Sequence, residues 1–131
     1  MTASNTPPVA TLLGRRIEEV NPKAGFLRAA FDARRAFSNP ARNVQGGMLC
    51  AMLDDLMASL MEATLDTGQS VATLNLNVSF LRPSVPGAVN GEARFVLRGR
   101  EICHVAGVLL QKNRKVASAT AVFTIAPAIS L

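Results

Sequence analysis

The residues of this chain that could do chemistry cluster in residues 39–54, the run NPARNVQGGMLCAMLD. It sets a polar loop, two consecutive glycines and a carboxylate in series, the carboxylate inside strongly apolar sequence. Residues 48–65 read MLCAMLDDLMASLMEATL, free of Gly and Pro, with apolar residues recurring at three and four positions. That pattern predicts one long helix. Neighbours on one helix face lie three and four residues apart, so Asp54 shares its face with Cys50, Ala51, Met57, Ala58 and Met61. Asp55, about 100° further round, falls on a stripe with Ser59, Glu62 and Asp66 and is expected on the solvated edge. A carboxylate held on an apolar face is a candidate general base or nucleophile, and the same placement also fits a buried acid satisfied by a local donor. Gly46 and Gly47 precede the expected helix. They permit close backbone approach next to helical N–H groups that have no intrahelical acceptor, a small trap for an oxyanion or, more simply, a turn.

The elements that must position these residues are legible on either side. Residues 12–20 and 25–33 read as two extended segments joined by the turn Asn21-Pro22-Lys23-Ala24-Gly25. Gly68 is a natural stop for the helix. From residue 71 the run VATLNLNVSFL alternates strictly, with Ala72, Leu74, Leu76, Val78 and Phe80 on one face and Thr73, Asn75, Asn77 and Ser79 on the other. The apolar side is expected to pack on the helix. Residues 88–98, 101–111 and 115–125 are rich in β-branched types and separated by Gly99-Arg100 and Asn113-Arg114, short enough for hairpins. The reading is an α+β fold in which one long helix packs on an antiparallel sheet of about six strands. Residues 1–11 are expected to be a flexible N-terminal segment and residues 12–131 a single domain.

At 131 residues and 49% hydrophobic content, the chain has material for one proper core. The opening MTASNTPPVA has neither a basic n-region nor an apolar h-region, and no run approaches the length of a membrane span. A cytoplasmic protein with no membrane partner is expected. Cys50 and Cys103 lack metal-ligand spacing and read as small core hydrophobes. His104, mid-strand beside Cys103 and Val105, reads as structural, so no metal is expected. Aromatic residues make up 5% of the chain, with no Trp or Tyr, which argues against a nucleic-acid partner that needs stacking platforms. Of the 14 basic residues, seven fall in residues 82–115 (Arg82, Arg94, Arg98, Arg100, Lys112, Arg114, Lys115), against Glu92 and Glu101 alone. They sit at strand ends and turns, which suits a phosphate-bearing small molecule better than nucleic acid, unless they are ordinary solvated residues.

The element order, together with NPARNVQGGMLCAMLDD and the later NVSFLRPSVPG, resembles the hotdog-fold acyl-CoA thioesterases of the phenylacetate-pathway (PaaI-like) type over nearly the whole chain. In that family an Asn, a Gly-Gly turn usually preceded by His, and a helical Asp or Glu form the active site. The resemblance implies catalytic roles for Asn39, Gln45, Gly46 and Asp54, with Gly47 beside them, and matches Thr73 to a Ser or Thr at the start of the first strand after the helix. Strict alternation would put Thr73 off the helix-packed face. Gln45 departs from the usual His. Its amide can donate a hydrogen bond but cannot trade a proton near neutral pH, so catalysis would rest on Asp54.

The implied chemistry is hydrolysis of a small or medium acyl- or aroyl-CoA with no separate cofactor. The Gly46 N–H would polarise the thioester carbonyl, and Asp54 would act as general base or nucleophile, the choice staying open. Asn39 and Thr73 would orient the water or the carboxylate. The resemblance further implies a homo-oligomer, a dimer or a dimer of dimers forming a homotetramer, with the acyl pocket at the subunit interface. The acyl group is expected against Met57 and Met61, unless those methionines are plain core, and the coenzyme A phosphates against Arg82, Arg98 and Arg100. Two other readings stand beside this one: a non-catalytic acyl-CoA-binding hotdog protein, which the Gln45 departure suits, and a hydratase or dehydratase, weakened by the lack of a His at the expected spacing from the aspartates.

Overall fold

In the computed structural model, which describes residues 6–127, a single long helix lies across one six-stranded antiparallel sheet. The elements run α1 (Pro8–Leu12), β1 (Arg16–Asn21), β2 (Phe26–Ala33), a 3-10 turn (Arg35–Phe37), α2 (Gly46–Glu62), β3 (Gln69–Phe80), β4 (Gly87–Arg98), β5 (Ile102–Gln111) and β6 (Arg114–Pro127). Strand order across the sheet is β1-β2-β4-β5-β6-β3. This is the hotdog arrangement, with β1 and β3 as the two edges. No helix among the described residues is long and apolar enough to cross a membrane.

The core forms where α2 meets the middle strands. Leu49, Met52, Leu53, Leu56, Met57 and Leu60, spaced at three and four residues, are buried on one side of the helix. Each fully buried side chain of this size contributes about 1.5–3 kcal/mol. Two glycines let the helix settle close to the sheet. A Cβ on Gly91 of β4 would lie 2.8 Å from Leu56 Cδ2, and one on Gly107 of β5 would lie 3.0 Å from Met57 Cγ. Side chains larger than hydrogen at these positions would lift α2 off β4 and β5.

Several boundaries differ from the sequence reading for local reasons. Residues 8–12 are a helical turn rather than the end of a flexible segment and the first residue of a strand, because Pro8 suits a first helical position and Ala10 and Leu13 are completely buried. Gly46 and Gly47 are not a turn ahead of α2 but its first two residues. At the other end α2 stops at Glu62 instead of Leu65. The Thr64 and Leu65 N–H groups tighten to carbonyls three residues back, and the Thr64 hydroxyl donates to the Met61 carbonyl at 2.7 Å. The β5–β6 hairpin turns on Lys112 and Asn113, with φ of 52° and 62°, one position earlier than expected. Both residues take the left-handed conformation that a two-residue hairpin of this kind requires.

The largest correction lies in β3. Thr73 pairs with Phe123 and Asn75 with Val122, so Leu74 is an extra residue in a β-bulge. The bulge reverses the alternation midway. Leu76 and Val78 face the helix as expected, while Leu74 swings outward to 59% exposure. Thr73, in register with the fully buried Phe123, is brought to the helix side.

Candidate active site

Both aspartates of α2 flank the buried stripe, one on each side, and different edges of the sheet cover them. Asp54 is half-buried among Cys50, Ala51 and Ala58. The bulge in β3 aims Thr73 at it, and the Thr73 hydroxyl donates to Asp54 Oδ1 at 2.8 Å. A carboxylate with one oxygen oriented this way keeps its remaining lone pairs for a water or a carbonyl carbon.

Asp55 is not on a solvated edge. Its side chain is 8% exposed and pairs with Arg15, which leads into β1. Arg15 Nη1 donates to both Asp55 oxygens at 3.1 and 3.2 Å and to Ser59 Oγ at 2.7 Å, and the Ser59 hydroxyl in turn donates to the Asp55 carbonyl at 2.7 Å. Burial pushes the Asp55 carboxyl up from its ordinary value, partly opposed by the Arg15 guanidinium. Burial likewise raises Glu62, one turn beyond Ser59. The sequence offered no sign of Arg15, one of two adjacent arginines and forty residues before its partner. The pair ties the start of β1 to the site helix.

The second group of candidates sits at the N-terminus of α2. Gln45 is the N-cap, in extended conformation and without a side-chain cap bond, so its amide is not engaged with the helix. Its backbone N–H donates to the Phe37 carbonyl at 2.8 Å, fixing where the helix begins. The N–H groups of Gly46 and Gly47 have no intrahelical acceptor, and the partial positive charge of the helix end adds to them. Beside them Asn39 holds its loop in shape: its Oδ1 accepts from the Ala41 and Asn43 N–H groups at 3.0 and 3.1 Å, which leaves the amide nitrogen to face outward. Asn39, Gly46, Leu49 and Phe80 line a cleft of about 340 Å³. The Phe80 ring explains one glycine, since a Cβ on Gly46 would lie 3.2 Å from Phe80 Cζ. At Gly47 a Cβ would meet nothing within 4 Å, so that surface is open.

Within one protomer these two groups stand apart. Eight residues of helix, about 12 Å, separate Gly46 from Asp54. The Asp54 side chain leans toward the N-terminus like every helical side chain but recovers only a few ångströms of that gap.

Of the expected substrate contacts, Arg82 lines the cleft that holds Gly46, while Met57, Met61, Arg98 and Arg100 do not. Met57 and Met61 are fully buried core residues and present no surface to a ligand. Arg98 lies over the Phe95 ring at 4.5 Å and, with Arg100, sits where β4 turns into β5. Arg82 sits at the other end of the sheet, its Nη1 donating to the Lys115 carbonyl at 2.7 Å where β6 begins. The β5 strand between the two ends spans roughly 30 Å, so the three arginines do not converge within a protomer. His104 is exposed on the sheet face away from α2, between Leu97 and Val122 in register.

A family model described as the acyl-CoA thioesterase N-terminal domain matches residues 34–124. The chain is similar to a phenylacetic acid degradation-related protein of Ralstonia eutropha JMP134, provisionally named a thioesterase. The two are 50% identical, with a TM-score of 0.91 and 92% of each chain covered. A Mycobacterium tuberculosis protein provisionally named an esterase, Rv1847, is 33% identical over 98 residues, covering 72% of this chain and 69% of that protein. The Bacillus halodurans protein BH2602, whose crystal structure holds CoA, shares the fold at 23% identity, with a TM-score of 0.85 over 97% of this chain and 83% of the other.

Proposed function

The chain belongs to the acyl-CoA thioesterase family and is a hotdog-fold thioester hydrolase, and from that premise we propose that it hydrolyses a small or medium acyl- or aroyl-CoA at a site shared by two copies. One copy supplies the Gly46 N–H and the other supplies Asp54. The observation that carries this reading is the separation of the two groups along α2. A near-attack geometry keeps reacting atoms about 3–3.5 Å apart and an oxyanion donor about 2.7–3.1 Å from the oxygen. About 12 Å of helix exceeds what those two distances span.

The topology supports the pairing. β3 has β6 on one side and no strand on the other, leaving a row of backbone donors and acceptors along a twelve-residue edge. A second copy adding its own β3 antiparallel would extend the sheet and bring Asp54 and Thr73 of one protomer toward the helix N-terminus of its partner. The assembly proposed is a homodimer or a dimer of dimers, met in the cytoplasm.

The chemistry follows from the groups in place. The thioester oxygen accepts from the Gly46 N–H, and the helix end stabilises the negative charge that grows there. In the general-base route Asp54 takes a proton from water as the water oxygen bonds to the carbonyl carbon. The tetrahedral intermediate then collapses, the C–S bond breaks and the thiolate leaves with the proton returned to it. In the nucleophilic route Asp54 itself bonds to the carbon, expels the thiolate and is freed by water. Thr73 orients the carboxylate in either case. Asn39 and Gln45 offer amide donors next to Gly46. The acyl group lies along Cys50, Ala51 and Ala58, the small half-buried side chains beside Asp54. A panel of acyl- and aroyl-CoA thioesters read with a thiol-reactive dye tests the proposal. Thiol release that is lost in Asp54→Asn supports it, and turnover unchanged in that variant overturns it.

A further inference from the structure

A cleft of about 830 Å³ opens where β2 ends and the chain turns toward α2. Arg34, Arg35 and Arg42 line it, and Asp32 is the one acid among its lining residues. None of these four side chains forms an ion pair among the described residues, whereas Arg15 and Arg28 each meet a carboxylate. The Arg34 guanidinium lies 5.6 Å from the centre of the buried Phe37 ring, which orients it and leaves its charge uncompensated. Three guanidinia against one carboxylate leave positive charge in excess. Backbone holds the walls in shape. Ala33 pairs with Gly87 where β2 meets β4, and Ser38 and Val44 close the neck of the loop as an isolated bridge. The Arg42 N–H donates to the Asn39 carbonyl at 2.9 Å, with Arg42 at φ 66°, an uncommon conformation for any residue but glycine. At Gly87, φ 135°, a Cβ would meet nothing within 4 Å, so that wall is open backbone.

We infer that Arg34, Arg35 and Arg42 form a second anion site, separate from the catalytic cleft, that takes a small organophosphate carrying at least two negative charges. A planar guanidinium takes phosphate oxygens in pairs, and three of them around one concavity suit a diphosphate better than a single carboxylate. The volume of about 830 Å³, against about 340 Å³ at Gly46, leaves room for an organic body beyond the phosphates. No residue lines both clefts. Strands β5 and β6 lie between β4 and the β3 edge, so two copies paired through β3 leave the wall made by β2 and β4 uncovered. The site therefore stands independently of the reaction proposed above, and both clefts can be filled at once.

The test is calorimetric titration of inorganic pyrophosphate and of ADP into the full-length protein and into Arg35→Ala/Arg42→Gly, glycine being the residue that tolerates φ 66° at position 42. Both probes should bind, ADP the tighter, and both should weaken by roughly tenfold or more in the double variant, a loss that shrinks as salt rises. Arg35→Lys/Arg42→Lys should keep part of the affinity, because the charges stay and the paired hydrogen bonds go. Saturation with a non-hydrolysable acyl-CoA thioether should leave pyrophosphate affinity within about threefold of its value, since no side chain lines both clefts and salt screens the remainder. Absence of binding to the unmodified protein overturns the inference, as does unchanged affinity in Arg35→Ala/Arg42→Gly. Equal weakening in Arg98→Ala/Arg100→Ala also overturns it, by showing attraction to the chain's net charge alone. Displacement of pyrophosphate by the thioether overturns the separateness of the site, and pyrophosphate binding without ADP binding overturns the organic ligand. A protein that binds both probes through Arg35 and Arg42 yet neither binds nor cleaves acyl-CoA would keep the site and remove the proposed reaction.

Discussion

The Thr73 hydroxyl donates to the Asp54 carboxylate at 2.8 Å, joining edge strand β3 to α2 across the bulge at Leu74. The bond fixes one carboxylate oxygen without neutralising its charge, which is the state a general base or nucleophile needs.

Asp54→Asn keeps the side-chain shape and removes the basic oxygen. It should lose at least about 10²-fold in kcat, the low end of what a positioned proton acceptor supplies, with little change in melting temperature. Thr73→Val should cost less, since it frees the carboxylate to rotate without removing it. If Thr73→Val costs more than Asp54→Asn, the hydroxyl rather than the carboxylate carries the chemistry.

The substitution at the position before the glycines gives a pH test. Gln45 donates through an amide and does not titrate, so the kcat profile should lack a limb near the ordinary histidine value of about 6.5. Gln45→His should be tolerated, and Gln45→Ala should cost far less than Asp54→Asn. A limb near that value which vanishes in His104→Ala would show that the exposed His104 takes part after all.

Much of this fold can be read from residue pattern, and the exceptions share a cause. The helix follows from its three-to-four periodicity and β3 from alternation, while the other strands follow from β-branched content and the turn residues between them; β1, exposed along its whole length, carries no burial pattern. What periodicity does not contain is which element covers a flank. Asp54 and Asp55 lie on opposite shoulders of the stripe formed by Leu49, Leu53, Leu56 and Leu60. Thr73 comes to one from the β3 edge, and Arg15 comes to the other from the β1 edge. The bulge was equally hidden, since VATLNLNVSF alternates without interruption and only the pairing with β6 reveals the extra residue. The burial of Met57 depends on Gly107 opening space beneath the helix, a contact fifty residues away in the chain.

The Arg15–Asp55 pair predicts a pH dependence of stability. Asp55 and Glu62 hold their protons more tightly folded than unfolded, above ordinary values of 3.8 and 4.5. Between those values and the raised ones the folded protein binds more protons, so this contribution to stability falls as pH rises. Asp55→Asn should therefore flatten the decline in melting temperature above about pH 4, while lowering the melting temperature at neutral pH because Arg15 loses its partner. Activity per folded molecule should stay near that of the unmodified protein. Parallel pH curves for the two proteins would count against a buried, proton-holding Asp55.

The shared site can be tested by complementation. Gly46→Pro removes only the N–H proposed to hold the oxyanion. Gly46 is the first helical residue, where Pro is favoured, and Gln45 before it already has φ −58° and ψ 136°, the extended conformation that precedes proline. The Phe80 ring must yield by a few tenths of an ångström, because the Cβ falls 3.2 Å from its Cζ. The variant should keep its melting temperature and lose roughly 10²–10³-fold in kcat, the usual cost of one oxyanion donor. Mixed after denaturation and refolding with Asp54→Asn, it should regain activity. Half of the dimers formed at random contain one of each variant, and each such dimer carries one intact site and one doubly altered one, so about a quarter of full activity should return. If Gly46 and Asp54 of the same protomer acted together, every site in every mixture would carry a defect and no activity would return. Recovery near a quarter therefore separates a site shared across β3 from one built within a single chain.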